Sequence, residues 1–206
     1  MSKIRLHQND LPNLSRYNVT SIAVDTETLG LNLHRDRLCL IQISTGDGTV
    51  DLVQISPKQK NAPNIVKLLQ DTQITKIFHF ARFDLAILAY TFLAIARPVF
   101  CTKIASKLTR TYSNKHSLQD LCQEFLNITI CKKQQSSNWG REKLSNAQQK
   151  YAASDVIYLH QLSNLLKKEL IREKRLKLAE NCFKFLPTRI QLDIMGWSDQ
   201  DIFAHN

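Results

Sequence analysis

"SIAVDTETLGL", residues 21–31, is the stretch on which the reading of the whole chain turns. Ile22, Ala23 and Val24 suit a buried strand, and they run straight into Asp25, with Glu27 two positions on. Side chains alternate along a strand, so Asp25 and Glu27 point to the same side. Two carboxylates crowded at the end of an apolar strand repel each other and lose solvation, which raises their pKa unless something neutralises them. The pair calls for a counter-charge.

Outward from this strand the N-terminal half alternates between two periods. "RLCLIQIST" and "TVDLVQI" read as strands joined by the turn residues "GDG", hence an antiparallel hairpin. "NAPNIVKLLQ" has helical spacing, with Pro63 tolerated near a helix start. "ITKIFHF" is a further strand, and it leads into "ARFDLAILAYTFLA", where Phe83, Ile87, Leu88 and Phe92 share a helical face. From Thr102 onward the spacing is near 3.6 throughout, and Ser145 suits the N-cap of a helix running from "SNAQQKY" to "LLKKEL". Strands first, with helices interleaved and then dominating, predict an α/β fold, a mixed sheet covered by helices with a helical C-terminal part. No Pro/Gly/Ser-rich linker interrupts the chain, which predicts one domain over 1–206. Residues 187–206 read as a C-terminal tail whose Trp197, Ile202 and Phe203 pack on this domain or on another subunit.

The bulk numbers narrow the class. A chain of 206 residues, 43% hydrophobic, can bury a sizeable core. The start lacks the apolar run of a signal peptide and no stretch is long enough to span a bilayer, so a cytoplasmic protein with no membrane partner is expected. Five cysteines, odd in number, show neither zinc spacing nor a disulfide framework. A formal charge of +10 attracts polyanions, nucleic acid foremost, although "KKELIREKRLKLAE" reads in part as the solvated face of a helix.

Two more acids stand out. Asp84 falls near the start of the helix after "KIFHF", and Asp155 lies four residues after Tyr151, on the same helical face. Each alone reads more plainly as a dipole partner or a surface residue. In combination, "VDTET", "HFARFD" and "YAASD" occur in order, each within an apolar pattern. Together they resemble the three exonuclease motifs of the DEDD superfamily of 3′–5′ exonucleases, and Tyr151 resembles the mark of its tyrosine subgroup, to which ribonuclease D belongs. "PVFCTKIASKLT", "HSLQDLC", "QQSSNW" and "LSNAQQKYAASDVIYLHQL" extend the similarity over most of the chain. There are departures: Phe80 stands where asparagine is frequent, and Asn138 where aspartate is usual. "HFARFD", "TRTY", "KKQQSSNW" and the overall length look most like the compact bacterial oligoribonucleases of the nano-RNase C family.

The resemblance implies a ribonuclease H-like fold and a metal-dependent 3′–5′ exoribonuclease acting on short single-stranded RNA, dinucleotides included, to release nucleoside 5′-monophosphates. It also implies a homo-oligomer, with an octameric ring as one form. Hydrolysing a phosphodiester needs an activated water and stabilisation of the leaving oxygen, and two divalent ions roughly 3.5–4 Å apart supply both. Mg²⁺ and Mn²⁺ want carboxylate oxygens, and Asp25, Glu27, Asp84 and Asp155 would be the protein's share. By resemblance Asp25 bridges the ions, Asp84 acts mainly through water ligands, and Tyr151 orients the attacking water. Leu29, Gly30 and Leu31 would wedge against the terminal base, with His79 and Lys103 as further substrate contacts. Tyr112 is read as core packing, and Arg110 and Lys115 as further phosphate contacts. A DNA 3′–5′ exonuclease and a basic nucleic-acid-binding module without catalysis are the alternatives.

Overall fold

The strand of residues 21–31 forms and sits at the centre. In the computed structural model, which describes residues 3–131 and 133–205, β2 (Ser21–Thr28) has β3 (Leu38–Ser44) on one side and β5 (Thr75–Phe78) on the other. Met1, Ser2, Lys132 and Asn206, all inside the predicted domain and Lys132 also inside the "KKQQSSNW" run, lie outside the described residues. The sheet has six strands in the order β1-β4-β3-β2-β5-β6, with β1 at Lys3–Gln8, β4 at Thr49–Gln54 and β6 at Val99–Cys101. β2, β3 and β4 run antiparallel to their neighbours among themselves, as the "GDG" hairpin predicts, while β1, β5 and β6 add in parallel. Every residue of β3 is buried, as a strand covered on both faces requires.

Among the described residues seven helices cover this sheet. α1 (Pro63–Gln70) and α2 (Ala81–Phe92) form where the 3.6 spacing places them. Then follow α3 (Thr102–Thr109), α4 (Leu118–Leu126), α5 (Asn146–Ile157), α6 (Leu159–Arg172) and α7 (Leu176–Ile194). α5 lies across β2, β3 and β4, and α2 packs against β5, β6 and α7. The sequence reads α5 and α6 as one helix, but the chain breaks at Tyr158, which caps both. β1 and β6 carry no strong strand pattern and first emerge in the structure. The predicted start of the tail at Pro187 falls inside α7, so only the residues after Ile194 leave the helix. No described helix is long and apolar enough to cross a membrane.

Candidate active site

β2 delivers the first two acids. Asp25 and Glu27 pair across the ladder with Gln42 and Leu40, and the register shifts between Glu27 and Thr28. That irregularity ends regular pairing and releases the chain into the Leu29–Leu31 turn. Asp155 arrives from the helix above. A capping box starts α5, with the Ser145 hydroxyl accepting from the Gln148 N–H and the Gln148 side chain accepting from the Ser145 N–H at 3.0 Å. Tyr151 and Asp155 then fall one turn apart on the face that looks down on the end of β2.

Oxygens of Asp25, Glu27 and Asp155 lie within 4.8 Å of one another. Asp84 reaches the group from the other layer. Thr26 sits between the two acids of β2 and so points to the opposite face, where its hydroxyl donates to Asp84 Oδ1 at 2.7 Å. Asp84 is buried in the first turn of α2, where the helix dipole favours an anion. All four acids and Tyr151 line a cleft of about 700 Å³, and so do Leu29, Gly30, Leu31, His79 and Lys103. Ten of the residues singled out by sequence thus share one cavity, although Asp84 stands outside the tight group of three.

The electrostatics match the expectation from crowding. Burial is the first cause and mutual repulsion the next. Asp25 is raised to about 7 by burial, and Glu27 to about 10 by burial and then by Asp25, Asp155 and Asp84. Asp84 and Asp155 are pushed well above the usual carboxylate range by burial and then by Asp25. Tyr151 is raised by burial and by the charges of Asp155, Glu27 and Asp25, with a hydrogen bond to Asp155 adding to the effect. Without a counter-charge the acids keep protons, because the site cannot solvate them ionised. Hard oxygen donors packed this closely fit a divalent cation, whose charge would let all of them ionise.

Around the acids, other side chains take defined positions. Leu29 and Leu31 are exposed at the cleft, 52% and 82%, although both are large and apolar. His79 Nδ1 lies 2.9 Å from the Thr102 hydroxyl, and burial, then Lys103, lowers its pKa to about 3, so the ring is neutral. Lys103 sits 4.6 Å from the centre of the Phe80 ring, and Phe80 holds a left-handed backbone (φ 68°) at the N-cap of α2. Three expectations are corrected here. Tyr112 is 74% exposed and its hydroxyl donates to Glu124, because "TRTY" leaves α3 for a surface turn, so it is not a core residue. Arg110 is buried and spent on Glu124, Ser106 and the Lys115 carbonyl, which leaves it no role at a phosphate. Lys115 does not line the cleft. Asn138, where the resemblance has aspartate, accepts from the Gly140 N–H at 3.0 Å and closes a turn.

Sequence reasoning misses two supports. Trp139 is buried beside Tyr151, ring centres 6.0 Å apart, and Thr26 holds Asp84. Thr26 was legible in principle, since it lies between the two acids on a strand.

Comparison with known proteins agrees with this geometry. A family model described as 3′-5′ exonuclease matches residues 11–171. Ribonuclease D of Gluconacetobacter diazotrophicus is 33% identical over 155 residues, 75% of this chain but only 39% of that protein's length. The structure of Brucella melitensis NrnC bound to pGG superposes with a TM-score of 0.97 at 62% identity, covering 100% of both chains. The same protein with bound Mg²⁺ superposes at 0.96 with 61% identity, covering 99% of this chain and 100% of that one.

Proposed function

The chain belongs to the DEDD 3′–5′ exonuclease family, in its ribonuclease D-like branch, and from that membership we propose that it hydrolyses short single-stranded RNA, down to dinucleotides. It acts from the 3′ end and releases nucleoside 5′-monophosphates, with two divalent ions, Mg²⁺ or Mn²⁺, as cofactors. The whole chain serves as one catalytic domain and works as a homo-oligomer. The observation that carries the reading is the convergence of Asp25, Glu27 and Asp155 within 4.8 Å. NrnC, similar over its full length, was solved with Mg²⁺ and with pGG, which supports both the cofactor and the small substrate.

Asp25, Glu27 and Asp155 would hold the ions directly, and Asp84, standing off behind Thr26, through water. When bound, such ions activate a water and neutralise the charge that grows on the leaving oxygen. The chain's own residues do the positioning. Tyr151 keeps its proton at neutral pH, because burial and the acids raise its pKa, so it serves as a hydrogen-bond partner of the attacking water rather than as a base. The water adds to phosphorus and loses a proton to solvent, the bond from phosphorus to the 3′ oxygen of the preceding nucleotide breaks, and that oxygen takes up a proton from solvent to become a 3′ hydroxyl. Leu29 and Leu31, apolar and exposed, offer contact to a base, and Gly30 keeps the turn between them narrow, since a Cβ there would run into the Asp36 carboxylate. Lys103 brings positive charge to the same cleft, suited to a phosphate.

End-labelled RNA and DNA of two to about twenty nucleotides, incubated with Mn²⁺ or with chelator, tests this. The expected result is rapid loss of RNA dinucleotides to monophosphates with Mn²⁺, slower trimming of long strands, and no reaction with chelator. An RNA dinucleotide that survives intact in Mn²⁺ would refute the reading.

A further inference from the structure

Gln42 lies in the middle of β3, the strand that is buried at every position. It is fully buried, 0% exposed, and neither its Oε1 nor its Nε2 has a hydrogen-bond partner among the described residues. An amide carries two donors and two acceptor lone pairs, and removing all of them from water without replacement is destabilising. The other polar residue of β3, Ser44, is satisfied by donating to the Thr49 carbonyl. Gln42 is therefore singular on its strand.

Its place in the ladder explains what it is for. Gln42 stands directly opposite Asp25 on β2, with Leu52 on its other side in β4. Residues directly opposite in an antiparallel pair project to the same face, with Cβ atoms roughly 4.5–5.5 Å apart. Gln42 thus shares the face of Asp25, in the layer beneath α5, the helix that brings Tyr151 and Asp155. Asp25 accepts from the Thr26 backbone, and no side chain among the described residues donates to it. An unmet donor and an anion short of donors are cross-strand neighbours.

We propose that Gln42 is a positioning residue for the metal site, its amide donating to the Asp25 carboxylate across one buried water. The bond fixes the rotamer of Asp25 and leaves its outward lone pairs free for cations. Partners of this kind, one shell behind the ligands, govern how tightly carboxylates hold a metal. The inference rests on the function proposed above.

The test is Gln42→Met, which keeps length and removes both polar atoms. Three readouts are compared with the parent chain: thermal unfolding without metal, Mn²⁺ affinity by calorimetry, and kcat and KM on a dinucleotide. A merely structural amide would move the first alone. The expected result is unfolding at or above the parent's temperature, Mn²⁺ binding about 10–100-fold weaker, and a lower kcat at unchanged KM. Equal Mn²⁺ affinity in the two proteins overturns the inference while leaving the nuclease reading intact. A parent chain that binds no Mn²⁺ overturns both. If the variant does not fold, a high-resolution structure of the parent with Mg²⁺ decides. The Gln42 amide must then bond a water held by Asp25, and an amide bonded elsewhere overturns the inference.

Discussion

Asp25 is the residue on which the cleft's electrostatics converge, because its charge raises the pKa of Glu27, Asp84, Asp155 and Tyr151 alike. Its carboxyl, held at about 7 in the folded chain against 3.8 for an unperturbed aspartate, keeps a proton that the unfolded chain releases. Between those pH values the folded state binds more protons, so raising the pH costs stability. Metal-free Asp25→Asn lacks this penalty. Its advantage over the parent should be small at pH 4, grow to up to about 4 kcal/mol by about pH 7, and not shrink above it, because the Asp25 charge also raises Glu27. His79, neutral in both, drops out of the difference. Saturating Mn²⁺ should reverse the order, since the variant loses a ligand. Thermal unfolding against pH, with and without Mn²⁺, reads this out, and a pH-independent gap would show that Asp25 is not the strained acid. Tyr151→Phe tests the neighbouring role. Losing the hydroxyl should lower kcat by about 100-fold and leave KM within about twofold. An unchanged kcat would remove Tyr151 from the chemistry.

Elements, rather than single residues, bring these groups into register, and the sequence makes some of them plainer than others. β2, the hairpin and α1 have clean periodicities and α2 is apolar along most of its length, buried nearly all round, so the sequence alone locates the two ends that carry Asp25, Glu27 and Asp84. β1 was not legible, because KIRLHQ is short and mostly polar and lies at the sheet edge, paired among the described residues only with β4, where none of its residues is fully buried. The order of motifs along the chain did not reveal how the 133–143 segment is fastened. That depends in part on Gln148, buried in α5, whose amide donates to the Ser137 hydroxyl and the Asn138 carbonyl at 3.1 Å each while its oxygen completes the cap at Ser145, and in part on Gln54, whose amide donates to the Arg141 and Glu142 carbonyls. Gln148 thereby holds the turn that presents Trp139 to Tyr151. Gln148→Ala strands a carbonyl and a hydroxyl and should cost about 2–3 kcal/mol, against about 1 kcal/mol for Ser145→Ala, which removes only the cap. Urea unfolding of both variants checks the order. Equal losses would mean that the turn stands without Gln148.

Across the whole molecule, the C-terminal segment is tied to the catalytic layer by one ionic knot. Arg82, two residues before Asp84, forms a bidentate pair with Asp193 at 2.7 Å and donates to the Ser198 carbonyl. Arg189 joins the same carboxylate and also donates to the Trp197 carbonyl. Asp193 is buried and its pKa is lowered, because the gains from both arginines outweigh the cost of burial. Beyond the knot the chain exposes Trp197, Ile202 and Phe203, apolar surface that a lone chain has little reason to keep wet. Since Asp193 precedes the cut, removing residues 197–206 should preserve the Arg82–Asp193 pair and with it the fold of α2. Unfolding temperature should then fall by only about 2–4 °C, on the order of 1 kcal/mol for a chain of this size. The proposed assembly should behave differently, because its contacts lie in the part removed. Sedimentation should show the truncated protein as a lighter species than the full chain, and a truncated protein that kept the full assembly mass would place the subunit contacts elsewhere on the surface. The two readouts separate a tail that holds the domain together from a tail that holds copies together, and the position of the knot, inside α7 rather than after it, favours the second.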